Sequence, residues 1–303
     1  MYLVSPSGTV ASSTVLDRAC QRLESIGFPA VVDSAVLSQY QRFAGTDTER
    51  LEAINRALGQ PQPIVMATRG GYGMSRLLHR IDWAAVAASG KRFVGHSDFT
   101  AFNLALLAQT GAVSYTGPSA IPDFGAETLD DLMPDLFAEV MRDELEILSF
   151  VTPDADLVDD RGVLWGGNLA MLMSLIGTPY MPDIDGGILF LEDISEHPYR
   201  IERMLVQLWQ AGILGRQKAL LLGHFTGYRA GANGTDYSLD DVIRWVRDHV
   251  GLPVVTGLPY GHVATKATLP VGATVGLATE DGMAHLVLHE HHAESDLNDE
   301  PAP

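Results

Sequence analysis

The stretch Phe93-Val94-Gly95-His96-Ser97-Asp98-Phe99-Thr100 joins an apolar run to an apolar helical pattern, and it decides how the chain is organised. The run Arg92–Val94 predicts a buried strand, and residues 99–111 predict the helix that follows it. Ser97 is therefore expected in a tight strand-to-helix turn, beside the free backbone N–H groups of a helix start. Such a turn suits a nucleophilic hydroxyl, and the alternative is that Ser97 or Asp98 only caps the helix, which is the commoner role of such residues.

Strand and helix patterns alternate through the first half of the chain. Short apolar runs predict strands at Tyr2–Val4, Ala30–Val32 and Ile64–Ala67. The first helix between them is expected to stop at Gly27, and the second to begin at a capping box formed by Thr46 and Glu49. A further helical pattern resumes at Met74. This alternation is typical of a parallel sheet covered by helices on both faces.

The second half mixes strands with two helices, which indicates an α+β domain. Strands are predicted at Gly187–Leu191, Leu220–Leu222, Val254–Thr256, Thr274–Leu277 and Ala284–Leu288, and helices at Tyr199–Ala211 and Leu239–His249. We expect a nucleophile domain over residues 1–140, a linker over 141–160 that contains Pro153 and several aspartates, and a C-terminal domain over 161–292. The acidic tail, residues 293–303, is predicted to be disordered.

Composition excludes several classes of protein. The 303 residues, 46% of them hydrophobic, give room for two globular domains of about 150 residues each. The net charge of −18 argues against binding to nucleic acid or to an anionic membrane surface, because both attract basic patches. No apolar run approaches the roughly 18 residues of a membrane span, and no signal peptide is recognised. The single cysteine, Cys20, excludes an internal disulfide, so we expect a cytoplasmic protein.

The glycine-rich loop Arg69-Gly70-Gly71-Tyr72-Gly73 follows one predicted strand and precedes a helical pattern. Glycines in such a loop let backbone N–H groups approach an anion closely. The loop lacks the Lys-Ser/Thr pair of a phosphate loop and the dinucleotide spacing, so nucleotide binding is poorly supported. Because consecutive strands often lie side by side, an oxyanion hole beside Ser97 is the better hypothesis. A tight turn without a ligand is the open alternative.

Glu192 and His262 are the two candidates for acid–base chemistry. Glu192 follows an apolar strand, where a carboxylate can orient a histidine, although a solvated loop acid is the local alternative. His262 lies in a loop rich in glycine and proline, where an imidazole with a near-neutral pKa can act as a general base. A structural role for His262 is the alternative, since the chain has 10 histidines.

Two further features are weighed and given modest roles. Asn168 ends the run Trp165-Gly166-Gly167-Asn168 before an apolar helix over residues 169–176, and capping is the economical explanation. His289, His291 and His292 are close in sequence, but they precede the acidic tail and no other metal-ligand spacing accompanies them. We therefore predict neither a metal nor a cofactor.

In combination these segments resemble one family, the LD-carboxypeptidases, serine peptidases that include the microcin C7 self-immunity hydrolases. The matching segments are Ser5–Gly8, Arg69–Gly73, Gly95–Asp98, Trp165–Leu169, Leu191–Asp193, Gly261-His262 and Leu269-Pro270-x-Gly272. They extend over nearly the whole chain. Three longer runs are most similar to the cytosolic branch that acts on murein tetrapeptides, namely Arg42–Thr46, Gly95–Ala101 and Glu192–Arg200.

The resemblance implies a fold and a catalytic triad. The first domain would be flavodoxin-like, as in class I glutamine amidotransferases, and the second a mixed β/α unit, with the active site between them. Ser97 would be the nucleophile, Glu192 the orienting carboxylate and His262 the base. The backbone N–H groups of Gly71 and Asp98 would form the oxyanion hole. An α/β-hydrolase fold is not supported, because the turn lacks the second glycine of G-x-S-x-G.

The implied activity is removal of the terminal D-alanine from L-Ala-D-Glu-meso-diaminopimelate-D-Ala, without a metal and in a homodimer. We take as substrate-binding candidates Arg69, Tyr72, Asn168 and Glu196. Two alternatives stay open. One is a relative that hydrolyses a peptidyl-nucleotide antibiotic, which would need an aromatic platform for the base, and the other is a silent muropeptide-binding protein. A glutamine amidotransferase is excluded, because its nucleophile is a cysteine and this turn carries Ser97.

Overall fold

The computed structural model describes residues 1–228 and 237–288, and its strands form two sheets. The first sheet contains β1 (Tyr2–Val4), β2 (Val31–Val32), β3 (Ile64–Ala67), β4 (Arg92–Gly95), β5 (Ser114–Thr116) and β11 (Leu269–Val271). The second contains β6 (Ile147–Val151), β7 (Asp159–Asn168), β8 (Ile188–Ile194), β9 (Ala219–Thr226), β10 (Val254–Val255), β12 (Thr274–Glu280) and β13 (Met283–Val287). His289, His291, His292 and the tail expected over 293–303 lie outside the described residues.

Eight α-helices accompany the strands in the described ranges. They are α1 (Ser13–Ser25), α2 (Asp47–Leu58), α3 (Trp83–Ala88), α4 (Thr100–Thr110), α5 (Met133–Met141), α6 (Leu169–Met173), α7 (Pro198–Gln210) and α8 (Leu239–Val250). The predicted capping box is present at the start of α2, where Thr46 and Glu49 satisfy each other's backbone N–H groups. None of the helices in these ranges is long and apolar enough to cross a membrane.

The first sheet has the strand order β11-β5-β4-β3-β1-β2. Strands β1 to β5 are parallel to one another, and their order is the doubly wound one of flavodoxin-like folds. The predicted parallel sheet is therefore confirmed. Strand β11 was not predicted; it joins the edge antiparallel to β5, with Pro270 opposite Tyr115. Pro270 lacks a backbone N–H, and an edge strand tolerates that loss.

The second sheet is mixed, as predicted for the C-terminal half. Its order is β10-β9-β8-β7-β12-β13-β6, with β7 to β10 parallel and the other neighbours antiparallel. Residues 141–160, expected as a linker, contain β6 and the first residues of β7. In β6, Leu148 and Phe150 are buried and alternate with exposed neighbours, which is the pattern of a half-buried strand. The boundaries of the two domains remain a prediction.

The helical pattern after Met74 forms two short 3-10 turns, Met74–Arg76 and Leu78–Arg80, in place of the expected longer helix. No side chain caps the first turn, and Gly73 precedes it with a φ of 147°. The backbone N–H of Met74 instead donates to Asp98, at 2.8 Å. This hydrogen bond holds the start of the 3-10 segment against the turn that carries Ser97. The next α-helix of the chain is α3.

Helix α4 lies between the two sheets. It contacts β5 and β11 of the first sheet as well as β7 and α6 next to the second. Every residue from Thr100 to Leu107 is buried, which explains why all of them except Thr100 and Asn103 are apolar. Gly111 ends the helix in the left-handed conformation, with a φ of 70°. The N-terminal end of α4, and with it Ser97, is thereby placed where the two sheets meet.

Candidate active site

Ser97 lies directly after β4, at the start of a 3-10 turn, Ser97–Phe99, that leads into α4. Its φ is 62°, in the left-handed region that non-glycine residues seldom occupy. Strained backbone of this kind is concentrated at functional sites. A Cβ at Gly95 would lie 2.4 Å from the ring of Phe99, so the turn closes only because that position is glycine. The predicted strand-to-helix turn is present, and Ser97 is its half-buried, accessible residue.

The glycine-rich loop packs against this turn. A Cβ at Gly70 would lie 2.7 Å from the Cβ of Ser97 and 3.1 Å from the backbone nitrogen of Asp98. Gly71 follows with a φ of 113° and lines the same cavity as Ser97. Glycine at position 70 is therefore what permits the close approach of the loop. An oxyanion hole formed by the Gly71 and Asp98 N–H groups remains a prediction. It requires the loop to lie beside Ser97, as it does here.

Ser97, His262 and Glu192 form a continuous chain of hydrogen bonds. Nδ1 of His262 lies 2.8 Å from Oε2 of Glu192, and Nε2 lies 3.2 Å from Oγ of Ser97. Because a carboxylate only accepts, Nδ1 carries the proton and donates a hydrogen bond to Glu192. The lone pair of Nε2 is then free to accept from the Ser97 hydroxyl. The structure brings together the three side chains expected to act as nucleophile, base and orienting acid.

Glu192 is buried inside β8, so its local interpretation as a solvated loop acid is wrong. Asn168 donates from Nδ2 to Oε1 of Glu192 at 3.1 Å and to Oδ1 of Asp193 at 3.0 Å, and its Oδ1 caps α6 by accepting from Met171. Burial raises the pKa of the Asp193 carboxyl, against the hydrogen bonds it accepts. Asn168, expected to bind substrate, thus lies behind Glu192 and holds its carboxylate in place.

His262 belongs to a segment, residues 260–271, that we call the His262 segment. Gly261 has a φ of 137°, and a Cβ there would lie 2.8 Å from the carbonyl oxygen of His224, so the backbone beside the imidazole requires glycine. The segment ends in β11, which pairs with the first sheet. Three side-chain contacts also join it to the N-terminal half: Tyr260 Oη to Thr116 Oγ1 at 2.5 Å, Thr265 Oγ1 to Asp130 Oδ2 at 2.6 Å, and Lys266 Nζ to Asp123 Oδ1 at 2.9 Å.

A cavity of about 590 Å³ opens onto the reacting groups. Its wall includes Ser97 and His262, the charged residues Arg69, Asp123, Asp130 and Lys266, and apolar side chains such as Ile121 and Met133. Of the other substrate-binding candidates, Tyr72 and Glu196 are not part of this wall. Tyr72 packs on Phe43, with ring centroids 5.9 Å apart, and Glu196 pairs with Arg200. The structure therefore places only Arg69 of the four candidates at the cavity.

The two neighbours of Ser97 are buried and titrate in unusual ranges. Burial, with the nearby positive charge of Lys266 and of His262 when protonated, lowers the pKa of His96 well below its ordinary value. Burial raises the pKa of the Asp98 carboxyl, although the neighbouring Ser7 hydroxyl and the hydrogen bond from the Met74 N–H oppose this. His96 is consequently neutral near pH 7, and its ring packs against that of His262 with centroids 4.6 Å apart.

His96, Glu192 and His262 present ligand atoms within 4.8 Å of one another, a grouping that can hold a metal ion. Both ring nitrogens of His262 already take part in hydrogen bonds, one with Glu192 and one with Ser97. A metal bound at either nitrogen would displace one of these partners. The donor set is therefore better suited to proton transfer at Ser97 than to metal coordination.

Several residues that shape the site are not recognisable from the sequence. Lys266 and Asp123 are 143 positions apart, and Tyr260 and Thr116 are 144 apart, so no local pattern links them. His96 neighbours the nucleophile, but its burial depends on packing against the rings of His262 and Tyr260. Only the position of Lys266, four residues after His262, could have drawn attention to it.

Known proteins match this chain along most of its length. The crystal structure of muramoyltetrapeptide carboxypeptidase from Oxalobacter formigenes has a TM-score of 0.90 and 45% sequence identity, over 95% of this chain and 98% of that one. The murein tetrapeptide carboxypeptidase of Pseudomonas aeruginosa is 30% identical over 91% of this chain and 92% of its own length. The microcin C7 self-immunity protein of Escherichia coli is 28% identical over 90% of this chain and 88% of its own.

Two family models match in chain order. The model described as the LD-carboxypeptidase N-terminal domain covers residues 1–117, which include Ser97, and the model described as the LD-carboxypeptidase C-terminal domain covers residues 161–277, which include Glu192 and His262. The resemblance inferred from the motifs is confirmed by both. The chain belongs to the LD-carboxypeptidase family.

Proposed function

We propose that this protein is a serine LD-carboxypeptidase that removes the terminal D-alanine from murein tetrapeptides. The observation that carries the proposal is the hydrogen-bonded chain from Ser97 through His262 to Glu192 on the wall of a cavity of about 590 Å³. The names of the Oxalobacter and Pseudomonas relatives support the choice of a murein tetrapeptide as substrate. An intact triad also argues against a silent binding protein.

The geometry supports the following first half of the reaction. Nε2 of His262 takes the proton of the Ser97 hydroxyl as Oγ attacks the carbonyl carbon of the L-centre of diaminopimelate. The Glu192 carboxylate stabilises the imidazolium that forms. The backbone N–H groups of Gly71 and Asp98 donate to the oxyanion, in a site whose dipoles are already oriented.

The second half releases both products. The imidazolium of His262 returns its proton to the nitrogen of the departing D-alanine as the C–N bond breaks, which leaves an acyl-enzyme on Ser97. Water then gives a proton to His262 and attacks the ester carbonyl. The tripeptide leaves with a free carboxylate, and the proton passes back to Ser97 Oγ. No group outside the triad and the oxyanion donors is required.

The alternative substrate, a peptidyl-nucleotide antibiotic, is less well supported. Stacking of a base on an aromatic side chain is the usual way for a protein to hold it. Within the described part of the chain, no Phe, Tyr or Trp lines the cavity. The wall instead offers aliphatic side chains and a few polar and charged ones, a lining that suits a short peptide.

The test is the release of free D-alanine from L-Ala-D-Glu-meso-diaminopimelate-D-Ala. Wild-type protein should release it, while the same peptide ending in L-alanine should be a poor substrate. Prolonged chelation of metals should leave the rate unchanged. Turnover of an aspartyl sulfamoyl adenosine in place of the tetrapeptide would identify the peptidyl-nucleotide activity instead.

A cytoplasmic location and a homodimer belong to the same proposal. Free Cys20 is compatible with a reducing compartment, and murein tetrapeptides reaching the cytoplasm would be the substrate pool. The dimer is implied by the family resemblance. Sedimentation velocity across the micromolar range tests the dimer, and cell fractionation with a periplasmic marker tests the location.

A further inference from the structure

A carboxypeptidase must recognise the free carboxylate at the end of its substrate, and this recognition rests on the function proposed above. Consecutive Cα atoms are about 3.8 Å apart, so the terminal carboxylate lies only one residue beyond the carbonyl that Ser97 attacks. Its partner must therefore be a hydrogen-bond donor close to the nucleophile turn. Apart from the histidines, the described cavity wall has two cationic side chains, Arg69 and Lys266.

Lys266 is poorly suited to this task. Its ammonium pairs with Asp123 at 2.9 Å, and both side chains are almost completely buried. The pair is neutral, and the carboxylate of Asp130 lies on the same wall. An incoming carboxylate would meet a region whose net charge is negative, so Lys266 is better placed to hold the His262 segment than to bind an anion.

Arg69, unlike Lys266, is exposed and is not paired with a carboxylate of the described residues. It directly precedes Gly70, where a Cβ would lie 2.7 Å from that of Ser97, and its side chain is exposed at the cavity. Its guanidinium donates a hydrogen bond from Nη1 to the carbonyl oxygen of Thr9, at 3.3 Å. Among the described residues no carboxylate lies within ion-pair distance of Arg69. Most of its five N–H donors are thus available in a fork that matches a carboxylate.

We propose that Arg69 binds the terminal carboxylate of the substrate and thereby restricts cleavage to the last residue of the peptide. The contact would place the scissile carbonyl over Ser97 with its oxygen toward the Gly71 and Asp98 N–H groups. It also supplies local positive charge on a chain whose net charge is −18 and which otherwise repels an anionic muropeptide. Arg69 is in this view a residue that determines specificity, and the triad does not depend on it.

The experiment compares two substrates that differ only at the end: the tetrapeptide acid and the same tetrapeptide as its D-alaninamide. Wild type should prefer the acid, and Arg69→Met should lower kcat/KM for the acid by roughly 10- to 100-fold, the size expected for hydrogen bonds to a charged group. Most of this loss should be in KM, because the contact exists in the ground state as well. The kcat/KM for the amide should change little, so that the preference disappears.

Matched variants separate this contact from general effects of charge. Arg80→Met removes the same charge from an exposed side chain outside the cavity wall, and it should keep the wild-type preference. Arg69→Lys should recover part of the activity on the acid, since a lysine keeps the charge and loses the fork. The proposal would be overturned if Arg69→Met lowered kcat/KM equally for the acid and the amide, or if it lowered neither, because the preference for the acid would then be unchanged.

A binding measurement covers the case in which the amide is not turned over at all. In the Ser97→Ala background, calorimetric titration should show tighter binding of the acid than of the amide, and Arg69→Met should abolish the difference. Equal binding of the acid with and without Arg69 would contradict the proposal. Failure of the wild type to release D-alanine from the acid would instead contradict the proposed function, so the two failures are distinguishable.

Discussion

The nucleophile and the base of this site are positioned in different ways. Ser97 stands in a turn built from its own neighbours: β4 before it, α4 after it, and Gly95 making room for the ring of Phe99. The His262 segment is held by residues more than a hundred positions away, through the contacts of Tyr260, Thr265 and Lys266 and through β11. Local geometry therefore orients the serine, and the junction of the two halves of the chain orients the histidine.

This difference predicts which changes will affect chemistry alone and which will affect folding as well. A substitution at the reacting atom of Ser97 removes one long-range hydrogen bond, the one to His262, and leaves the turn itself in place. A substitution in the His262 segment can displace the imidazole without touching it, since small displacements of a catalytic group are costly. Four predictions test this contrast, in order of decreasing effect.

Ser97→Ala and His262→Ala should each lower kcat by on the order of 10⁶-fold, and the double variant should be hardly worse, because the two residues act as one unit. Rates of D-alanine release measure this. Thermal unfolding of Ser97→Ala should stay within a few degrees of the wild type, since the turn is maintained by its neighbours. Losses that multiply in the double variant would mean that the two residues do not belong to one catalytic unit.

Glu192→Gln should lower kcat by about 10⁴-fold, the loss seen when a serine protease receives an amide at this position. The amide donates a hydrogen bond to Nδ1 of His262, which forces the ring proton onto Nε2, where it faces Ser97. KM should change little. Glu280→Gln removes the same charge from an exposed position at the end of β12 and serves as control. A normal rate in Glu192→Gln would remove the carboxylate from the triad.

Lys266→Met should reduce kcat by up to roughly 10²-fold for acid and amide substrates alike, because it loosens the His262 segment. It should also lower the free energy of unfolding by about 3 kcal/mol, since it leaves the Asp123 carboxylate buried without its partner. Urea denaturation measures this loss. The double variant Lys266→Met, Asp123→Asn should regain part of the stability, and it should remain slow. Full activity in Lys266→Met would show that the segment is held without this ion pair.

Substitution of His96 should have the smallest effect of the four, and the quantity affected is the pH dependence of the free energy of unfolding. Because burial depresses the pKa of His96 in the folded protein, the unfolded chain takes up a proton that the folded chain does not when the pH falls below about 6.5. The contribution of neutral His96 to the free energy of unfolding is therefore fully present above that pH. It decreases below that pH, by about 1 kcal/mol between pH 6.5 and 5.5. Urea denaturation at both values should show a smaller pH dependence in His96→Gln than in wild type. Equal dependence would contradict the depressed pKa.

Much of this protein follows from local sequence. The alternation of apolar runs predicts the parallel sheet, Thr46 and Glu49 predict the start of α2, and the Gly95-His96-Ser97 run predicts the turn. These features depend on residues within a few positions of one another, so periodicity and capping rules reach them. The family motifs add the expected roles of Glu192 and His262, which no local pattern supplies.

Only the tertiary structure decided the remainder. Strand β11 leaves the C-terminal half to pair with β5, and β6 fills the segment expected to be a linker, because sheet pairing is set by partners distant in sequence. Of the four substrate-binding candidates, only Arg69 lies at the cavity. Asn168 lies behind Glu192, and Tyr72 and Glu196 lie outside the cavity wall. Burial and long-range electrostatics depend on the complete fold, and they alone distinguish the neutral Lys266–Asp123 pair from the available guanidinium of Arg69.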